Sequence, residues 1–433
     1  MKILIKNGYV VDPKNGIDGK YDILIDKGRI VSVSNETDFG DITVHEVIDA
    51  AGMYVFPGLV DAHCHLRDPG YEYKEDIESG TKSAVMGGFT SVACMPNTNP
   101  VIDSAAVISY VYEKTRKDGV CKVYPIGAVT KSQKGEELAE IGEMKFAGAV
   151  AVSDDGKPVA SGSLMMKALQ YAAMFEIPVI SHCEDSDIAD GGVMNEGYWS
   201  SVLGLKGIPS AAEDAMVSRE LILAGYLDLP VHIAHVSTSG SVDMIRAAKK
   251  NGVKVTCETC PHYFTLTDAA CDGFDTNAKV NPPLRTAKDV KAIIKGLQDG
   301  TIDIIATDHA PHHTDEKNVE FNAASSGLVG FETAFAIGIT YLVRPGHISL
   351  GKLIDKMSAA PSRILALQAG SLAKGEPADI LIADINAKFK VDPMIFKSKS
   401  KNTPFGGFEL YGSICYTLVD GGIVVEKGIL VKE

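Results

Sequence analysis

Residues 58–65 read Gly-Leu-Val-Asp-Ala-His-Cys-His, a short apolar run that ends in two histidines. Side chains two positions apart on a β-strand point to the same face, so we expect His63 and His65 to face one side and Cys64 the other. Two neutral imidazoles on one face can bind a single metal ion. The stretch therefore predicts a strand with a metal site at its carboxyl end. The simpler alternative is two histidines that merely end a strand.

The chain beyond this strand repeats one structural unit. Short β-branched or apolar runs alternate with amphipathic stretches, a pattern typical of βα units and a parallel sheet. Helical patterns lie at 75–86, 163–175, 211–227, 241–250 and 287–298. Eight strand candidates lie at 58–63, 90–95, 122–127, 148–153, 178–182, 230–235, 253–258 and 303–307. This number predicts an α/β fold of the TIM (β/α)8 barrel type.

The two ends of the chain have a different pattern. Short alternating strands joined by Gly and Asp turns fill residues 1–55, and similar strands return in 368–433. We expect both ends to form one small β-sandwich domain, with the barrel, residues 56–367, inserted between its halves.

Composition and charge narrow the partner class. The 433 residues are 45% hydrophobic and 23% charged, as in ordinary globular proteins. A net charge of −14 disfavours nucleic acid and anionic lipid. No apolar run approaches the roughly 20 residues of a membrane span, and the first residues lack the apolar core of a signal peptide. We expect a cytoplasmic protein with reduced thiols and a small-molecule substrate, without nucleic-acid or membrane partners.

Further metal-binding residue types follow the later strands. Asp154 and Asp155 follow the fourth strand, His182 ends the fifth, His235 ends the sixth and Asp308 follows the eighth. In a TIM barrel these carboxyl ends converge on one face. Imidazoles with carboxylates suit zinc or a similar divalent ion, and this number of ligands suits a pair of ions better than one. Spacing alone does not choose between Asp154 and Asp155.

Several motifs, taken in order, resemble those of the amidohydrolase superfamily and, within it, the dihydroorotase family. The similarity is to the bacterial type, in which an aspartate replaces a carbamylated lysine. It covers nearly the whole chain and rests on residues 57–70, 95–98, 153–156, 182–185, 235–238, 281–285, 306–312 and 401–405.

The resemblance implies a centre of two Zn²⁺ ions per chain. His63 and His65 would bind one ion, His182 and His235 the other, and Asp155 would bridge them. A hydroxide between the ions would attack the ring carbonyl of L-dihydroorotate. Asp308 would bind the first ion and act as the proton shuttle. Run in reverse, the same chemistry cyclises N-carbamoyl-L-aspartate in pyrimidine synthesis.

Four residues are the candidate substrate contacts: Arg67, Asn97, Asn281 and His312. Arg67 lies two positions past His65, on the same face if the strand continues, and its planar guanidinium suits a carboxylate. Arg67 could instead be a surface residue, and both asparagines could be turn formers beside proline. His262, after the seventh strand, could support the metal ligands.

Two alternatives to this activity remain. Hydantoinases, dihydropyrimidinases and allantoinases share the barrel but usually place a carbamylated lysine after the fourth strand, where this chain has Ser-Asp-Asp-Gly. A non-catalytic scaffold relative is disfavoured by the full ligand set. The resemblance also implies a homodimer and possible docking on aspartate transcarbamoylase. Finally, the Ser and Gly content of residues 314–330 predicts a mobile lid over the substrate.

Overall fold

The computed structural model describes residues 2–35 and 43–431 of the chain. Its strands are β1 (Lys2–Asp12), β2 (Ile17–Asp26), β3 (Arg29–Ser34), β4 (Glu46–Asp49), β5 (Tyr54–Pro57), β6 (Leu59–Cys64), β7 (Phe89–Cys94), β8 (Lys122–Pro125), β9 (Val152–Ser153), β10 (Val179–Ser181), β11 (Met194–Asn195), β12 (Gly207–Ile208), β13 (Val231–Ile233), β14 (Val255–Thr259), β15 (Ile304–Ile305), β16 (Ile380–Lys390), β17 (Glu409–Val419), β18 (Gly422–Glu426) and β19 (Ile429–Leu430).

The α-helices lie mainly between the barrel strands. They are α1 (Ile77–Met86), α2 (Ala105–Asp118), α3 (Ile141–Ala147), α4 (Gly162–Ala173), α5 (Ser186–Ala189), α6 (Tyr198–Leu203), α7 (Ser210–Leu227), α8 (Ser239–Lys250), α9 (Ala287–Asp299), α10 (Thr314–Lys317), α11 (Phe331–Gly338), α12 (Leu350–Ile354) and α13 (Ala360–Ile364). Short 3-10 turns and π-helical turns extend several of these segments.

The predicted barrel is confirmed. Strands β6, β7 and β8 pair in parallel, as do β9, β10, β13, β14 and β15. Parallel bridges from Gly127 to Val152 and from Cys64 to His309 join the two groups into a ring. Each predicted strand position carries a strand, although the hydrogen-bonded cores are shorter than the apolar runs suggested. The carboxyl ends of all eight strands therefore surround one opening.

The helices of the barrel begin where the sequence supplies caps. The side chain of Asp76 accepts a hydrogen bond from the backbone N–H of Ser79 at 2.8 Å at the start of α1. Thr238 does the same for Ser241 at the start of α8, at 3.1 Å. Such caps satisfy backbone donors that the first helical turn leaves free. Both caps lie in connections that leave the site end of the barrel, so they help to fix the direction in which the chain leaves the site.

The two chain ends combine in one sheet. Strand β5 pairs antiparallel with β16, so the sheet runs in the order β19-β18-β17-β16-β5-β1-β2-β3, with β4 beside β1. Its strands share an apolar core separate from that of the barrel, which includes Ile5, Ile23, Val55, Ile382 and Leu418. This is the composite β-domain, built from both chain ends, that the similar patterns predicted.

All eight cysteines are free, and all of them except Cys415 are buried. Within the described residues, no helix combines the length and the apolar character needed to cross a bilayer.

Candidate functional site

The carboxyl end of β6 carries the two histidines of the opening motif. His63 is fully buried, and its Nε2 atom lies 3.5 Å from Oδ1 of Asp155 and 3.5 Å from Oδ1 of Asp308. Its Nδ1 atom lies 2.6 Å from Oε1 of Glu258. A carboxylate only accepts, so Nδ1 carries a hydrogen and Nε2 is the ring nitrogen that faces the two aspartates. Glu258 therefore sets the tautomer and the ring orientation of His63.

His65 is held in the same way by a different partner. Its Nδ1 atom lies 2.9 Å from Oδ1 of Asn97, and its Nε2 atom lies 3.1 Å from Oδ1 of Asp308 and 3.5 Å from Oδ2 of Asp155. The amide oxygen accepts from Nδ1, so Nδ1 carries a hydrogen and Nε2 is the ring nitrogen that faces the two aspartates. His63 and His65 thus present the same ring nitrogen to the same pair of carboxylates.

The other two histidines approach Asp155 from the far side. The Nδ1 atom of His182 and the Nε2 atom of His235 lie 2.8 Å apart, and they are 3.5 and 3.3 Å from Oδ1 of Asp155. Two facing imidazole nitrogens at this distance need a proton or a cation between them. The carboxylate of Asp155 is therefore within 3.5 Å of a ring nitrogen of all four histidines.

The structure distinguishes Asp155 from its neighbour. The carboxylate of Asp154 turns away from the histidines and accepts hydrogen bonds from the backbone N–H groups of Val129 and Thr130, at 2.8 and 3.1 Å, and from the Thr130 hydroxyl. Burial raises the pKa of Asp154 to about 6. Asp154 shapes the loop after β8, and only Asp155 reaches the cluster.

The electrostatics of the cluster are those of a buried cation site. Burial alone would lower the pKa of His63, but the carboxylates of Asp155 and Glu258 raise it well above its usual range. Burial opposes ionisation of Asp155, yet the charge of His63 and hydrogen bonds from His182 and His235 hold its pKa well below normal. Buried carboxylates this close together favour positive charge around them.

The donor set fits a divalent metal ion. Ligand atoms of His63, Asp155 and His235 all lie within 4.8 Å of one another, as do those of His63, His65 and Asp308. Among the described residues, the buried Nε2 atom of His63 has no hydrogen-bond partner. Uncharged imidazole nitrogens with carboxylate oxygens are the ligands that zinc and related divalent ions take in proteins.

A cavity of about 250 Å³ opens above the cluster. All four candidate substrate contacts line it together with five of the six candidate metal ligands, while His63 lies beneath. Its lining also includes Gly156, Ala310, Ser326 and Gly327. The structure thus brings together every site residue that the sequence predicted.

Arg67 lines this cavity from a turn that follows β6, and not from the strand itself. Strand β6 ends at Cys64, and Arg67 has a left-handed backbone with φ of 60°. The expectation that Arg67 shares strand parity with His65 is therefore wrong, because a turn separates them. Its Nε atom donates to the carbonyl of Pro311 at 3.2 Å, which holds the guanidinium in the cavity wall.

His312 lies beside this guanidinium. Its Nε2 atom is 3.3 Å from Nη2 of Arg67 and 2.9 Å from the carbonyl oxygen of Ser326, and its Nδ1 atom is 3.2 Å from Oε2 of Glu316. Burial and the charge of Arg67 lower the pKa of His312 to about 3. A neutral ring has one N–H, so it can donate to only one of the two oxygens at a time.

Comparisons with known proteins show which family the chain is similar to. A family model described as dihydro-orotase-like matches residues 52–241. A protein of Acetivibrio thermocellus named "Dihydroorotase" is 64% identical over 428 residues, covering 99% of this chain and 100% of that protein. A second, from Ruminiclostridium cellulolyticum and with the same name, is 64% identical over 430 residues, again covering 99% and 100%.

The chain belongs to the dihydroorotase family. Membership of this family makes the chain a cyclic amidohydrolase. Its fold is also similar to that of solved structures outside the family. An L-hydantoinase (dihydropyrimidinase) from Arthrobacter aurescens has a TM-score of 0.89 and 27% identity, with 100% of this chain and 97% of that chain covered. This chain and the hydantoinase thus share one architecture, although their sequence identity is far below the 64% shared with the named dihydroorotases.

Sequence reasoning missed the residues that orient the histidines of this dihydroorotase family member. Glu258, inside β14, bonds His63 and lies 3.2 Å from Nε2 of His232. An acidic residue inside a buried strand is a usable signal, since it needs partners there. Asn97 was expected at the substrate and lines the cavity, but its amide oxygen also holds His65.

His262 and Asn281 are two further predicted positions near the cluster. Within the described part of the chain, neither ring nitrogen of His262 has a hydrogen-bond partner, although the residue is buried and its ligand atoms lie within 4.8 Å of Cys260 and Asp308. Its supporting role stays a prediction. Asn281 lines the cavity, and its buried amide oxygen has no hydrogen-bond partner in residues 2–35 and 43–431.

Proposed function

We propose that this chain catalyses the reversible cyclisation of N-carbamoyl-L-aspartate to L-dihydroorotate by a two-metal centre, as expected for pyrimidine biosynthesis. The observation that carries the proposal is the position of Arg67, a carboxylate-binding side chain, in the same cavity as the histidine and aspartate cluster. Dihydroorotate differs from dihydrouracil by one carboxylate, so an arginine at this place suits the acid.

The metal ligands are assigned on the contacts of each ring nitrogen. His63, His65 and Asp308 would hold one ion and His182 with His235 the other, with Asp155 shared between them because its oxygens approach all four histidines. We propose zinc for both ions. When bound, such ions polarise the ring carbonyl and lower the pKa of water to roughly 7.

Asp308 is the proposed proton shuttle. Its carboxylate lies at the base of the cavity, 3.1 Å from Nε2 of His65. Burial alone would raise the pKa of Asp308, but the hydrogen bond from His65 and the charge of His63 outweigh it and lower the pKa. An ionised Asp308 can take a proton from the attacking water. It then returns this proton to the ring nitrogen as the carbon–nitrogen bond breaks, and ring closure reverses both transfers.

Arg67, Asn97, Asn281 and His312 are the proposed substrate contacts. The guanidinium of Arg67 would pair with the carboxylate of the substrate, since its fork geometry allows two parallel hydrogen bonds. Among the residues that the structure describes, the amide oxygen of Asn281 has no hydrogen-bond partner. It lies in the lining of the cavity, which suits an N–H of the ring or of the carbamoyl group. His312 would close the side of the cavity next to Arg67.

The rival activity is that of a hydantoinase or dihydropyrimidinase, because the fold is shared. The absence of a lysine among residues 153–156 counts against it. The decisive assay follows the loss of dihydroorotate absorbance, with hydantoin, dihydrouracil and allantoin as comparisons. We expect turnover of dihydroorotate to exceed that of the other three; preferential turnover of hydantoin or dihydrouracil would reverse the assignment.

The remaining proposals concern the whole protein. We propose domain limits of 1–55 and 368–433 for the composite sheet domain and 56–367 for the barrel. We also propose a cytoplasmic homodimer that can dock on aspartate transcarbamoylase. Size-exclusion chromatography with light scattering, alone and with that enzyme, tests both assemblies.

A further inference from the structure

Asn402, in the C-terminal part of the chain, bonds three residues that line the substrate cavity. Its Nδ2 atom donates to the carbonyl oxygens of Ala310, at 3.3 Å, and Gly327, at 3.0 Å. The Oδ1 atom of Asn402 accepts a hydrogen bond from the backbone N–H of His312 at 3.2 Å. The backbone carbonyl of Asn402 accepts one from the backbone N–H of Val329 at 2.8 Å. The side chain is buried, with 5% of Asn402 exposed.

These partners belong to two separate walls of the cavity. Ala310 and His312 lie on the segment that follows β15, and Gly327 lies on the later segment that returns beside it. The walls are in close contact, because a Cβ atom at Gly327 would lie 2.8 Å from Cβ of Ala310, and the φ of Gly327 is +140°. One amide therefore ties both walls together at the place where they touch.

The distance between the walls matters for the substrate. His312 contacts Ser326 on one side and Arg67 on the other, through Nε2 at 2.9 and 3.3 Å. If the walls separate, the imidazole of His312 shifts relative to the guanidinium that faces the carboxylate. Among the hydrogen bonds of the described residues, none joins the side chain of Asn402 to the six proposed metal ligands.

We infer that Asn402 is a positioning residue for substrate binding, which fixes His312 relative to Arg67 without touching the metal centre. The inference rests on the proposed function. Only a carboxamide fits the site, since it must donate two hydrogen bonds to carbonyl oxygens and accept one from an N–H. Aspartate has the same shape but no donors, and it would put a charge beside two carbonyl oxygens.

The test compares Asn402→Ala and Asn402→Asp with wild type in the metal-loaded, full-length protein. We expect KM for dihydroorotate to rise roughly tenfold or more, because about 1.4 kcal/mol of binding corresponds to tenfold. We expect kcat to stay within about twofold and metal content to remain unchanged. Calorimetry with orotate, which carries the same carboxylate, should show the same loss of affinity. Aspartate should be the more damaging change.

Asn195→Ala is the matched control. Asn195 is equally buried, with 4% exposed, and its side chain donates to Asp268 and accepts from Arg285, away from the lining of the cavity. It should lower the Tm and leave both KM and the affinity for orotate unchanged. This comparison separates loss of a buried asparagine from loss of the tie between the walls.

Two results would overturn the inference: an unchanged KM and orotate affinity in the Asn402 variants, or a fall in kcat together with loss of metal. If Asn402→Asp does not fold, Asn402→Ser, which keeps one donor, takes its place with the same expectations. Failure of the proposed function is seen separately, as wild-type protein that does not turn over dihydroorotate.

Discussion

At the scale of single residues, the first prediction concerns Arg67 and the ring that the proposed centre accepts. Charge-assisted hydrogen bonds contribute on the order of 1.5–3 kcal/mol each, so Arg67→Ala should lower kcat/KM for dihydroorotate by roughly a hundredfold or more. Arg67→Lys should recover little, because an ammonium lacks the fork geometry. Activity on dihydrouracil and metal content should scarcely change. An equal loss on both substrates would mean that Arg67 shapes the metal centre instead.

Asp155 supports a second prediction, that an aspartate and not a carbamylated lysine joins the two metals. Activity after metal reconstitution should not depend on bicarbonate, and no lysine should be about 44 Da heavier, the mass of one added CO2, in the mass spectrum. Loss of a partner of a metal ligand typically costs about 10–100-fold in metal affinity, so Asp155→Ala should cost at least the upper figure.

The neighbouring Asp154 offers the control for this experiment. Its carboxylate bonds only to the loop at Val129 and Thr130 among the described contacts, so Asp154→Asn should keep its metal and lose some thermal stability. Metal loss in Asp154→Asn equal to that in Asp155→Ala, or a carbamylated lysine in the active protein, would contradict the assignment.

The same pair of residues shows what sequence could and could not predict at this scale. The types and the order of the ligands were readable, because parallel strands in a barrel bring their carboxyl ends together. Strand parity could not choose between Asp154 and Asp155, since β9 contains only Val152 and Ser153 and both aspartates lie beyond it. Strand parity correctly predicted that Arg67 faces the cavity, but for the wrong reason, because the backbone is left-handed at Arg67 and the strand has already ended.

At the scale of elements, the segment 314–330 stays a predicted lid, and the structure shows what anchors it. The Nζ atom of Lys317 donates to the carbonyl oxygens of Ser325 and Gly327, at 2.8 and 3.1 Å. Lys279 donates to those of Phe321 and Asn322, at 2.7 and 3.0 Å. The sequence identifies a Ser- and Gly-rich segment, but it does not show that two buried lysines donate hydrogen bonds to the backbone carbonyls of that segment.

This anchoring leads to a third prediction. Lys317→Met should expose the segment to proteases and raise KM. The carbonyl oxygen of Ser325 would lose its bond from Lys317, at a cost of about 1–3 kcal/mol, and that of Gly327 would keep only the bond from Asn402. Bound orotate should slow cleavage between residues 314 and 330 in wild type. Lys250→Met, an exposed substitution in α8, is the control. Cleavage that is equally fast with and without orotate would argue against a lid.

The molecule as a whole is organised around the closure of the barrel. The first and last barrel strands meet where the N–H of Asp308 bonds the carbonyl of His63 at 3.0 Å and the N–H of His65 bonds that of His309 at 2.8 Å. Asp61 adds a buried link, since it accepts from the N–H and the hydroxyl of Thr307 at 2.9 and 2.6 Å. The proposed ligands lie on both sides of this closure, so bound metal would hold the ring together.

The fourth prediction follows from that placement. Ligands that bind only the folded state stabilise it by about 2.7 kcal/mol at a hundred times Kd. With an unfolding entropy of about 2.1 cal/mol/K per residue, this corresponds to a rise in Tm of roughly 3 °C for a chain of 433 residues. We expect chelation to lower the Tm and added Zn²⁺ to restore it in wild type, but not in His182→Ala.

Hydrogen exchange shows where this stabilisation acts. After chelation the amides of His65 and Asp308 should exchange faster, because their hydrogen bonds span the closure that metal would bridge. Amides of β2 pair with β1 and β3 in the composite sheet and should keep their rates. Equal acceleration in both places would mean that metal loss loosens the whole chain, and no change at His65 and Asp308 would mean that the ions do not hold the barrel closed.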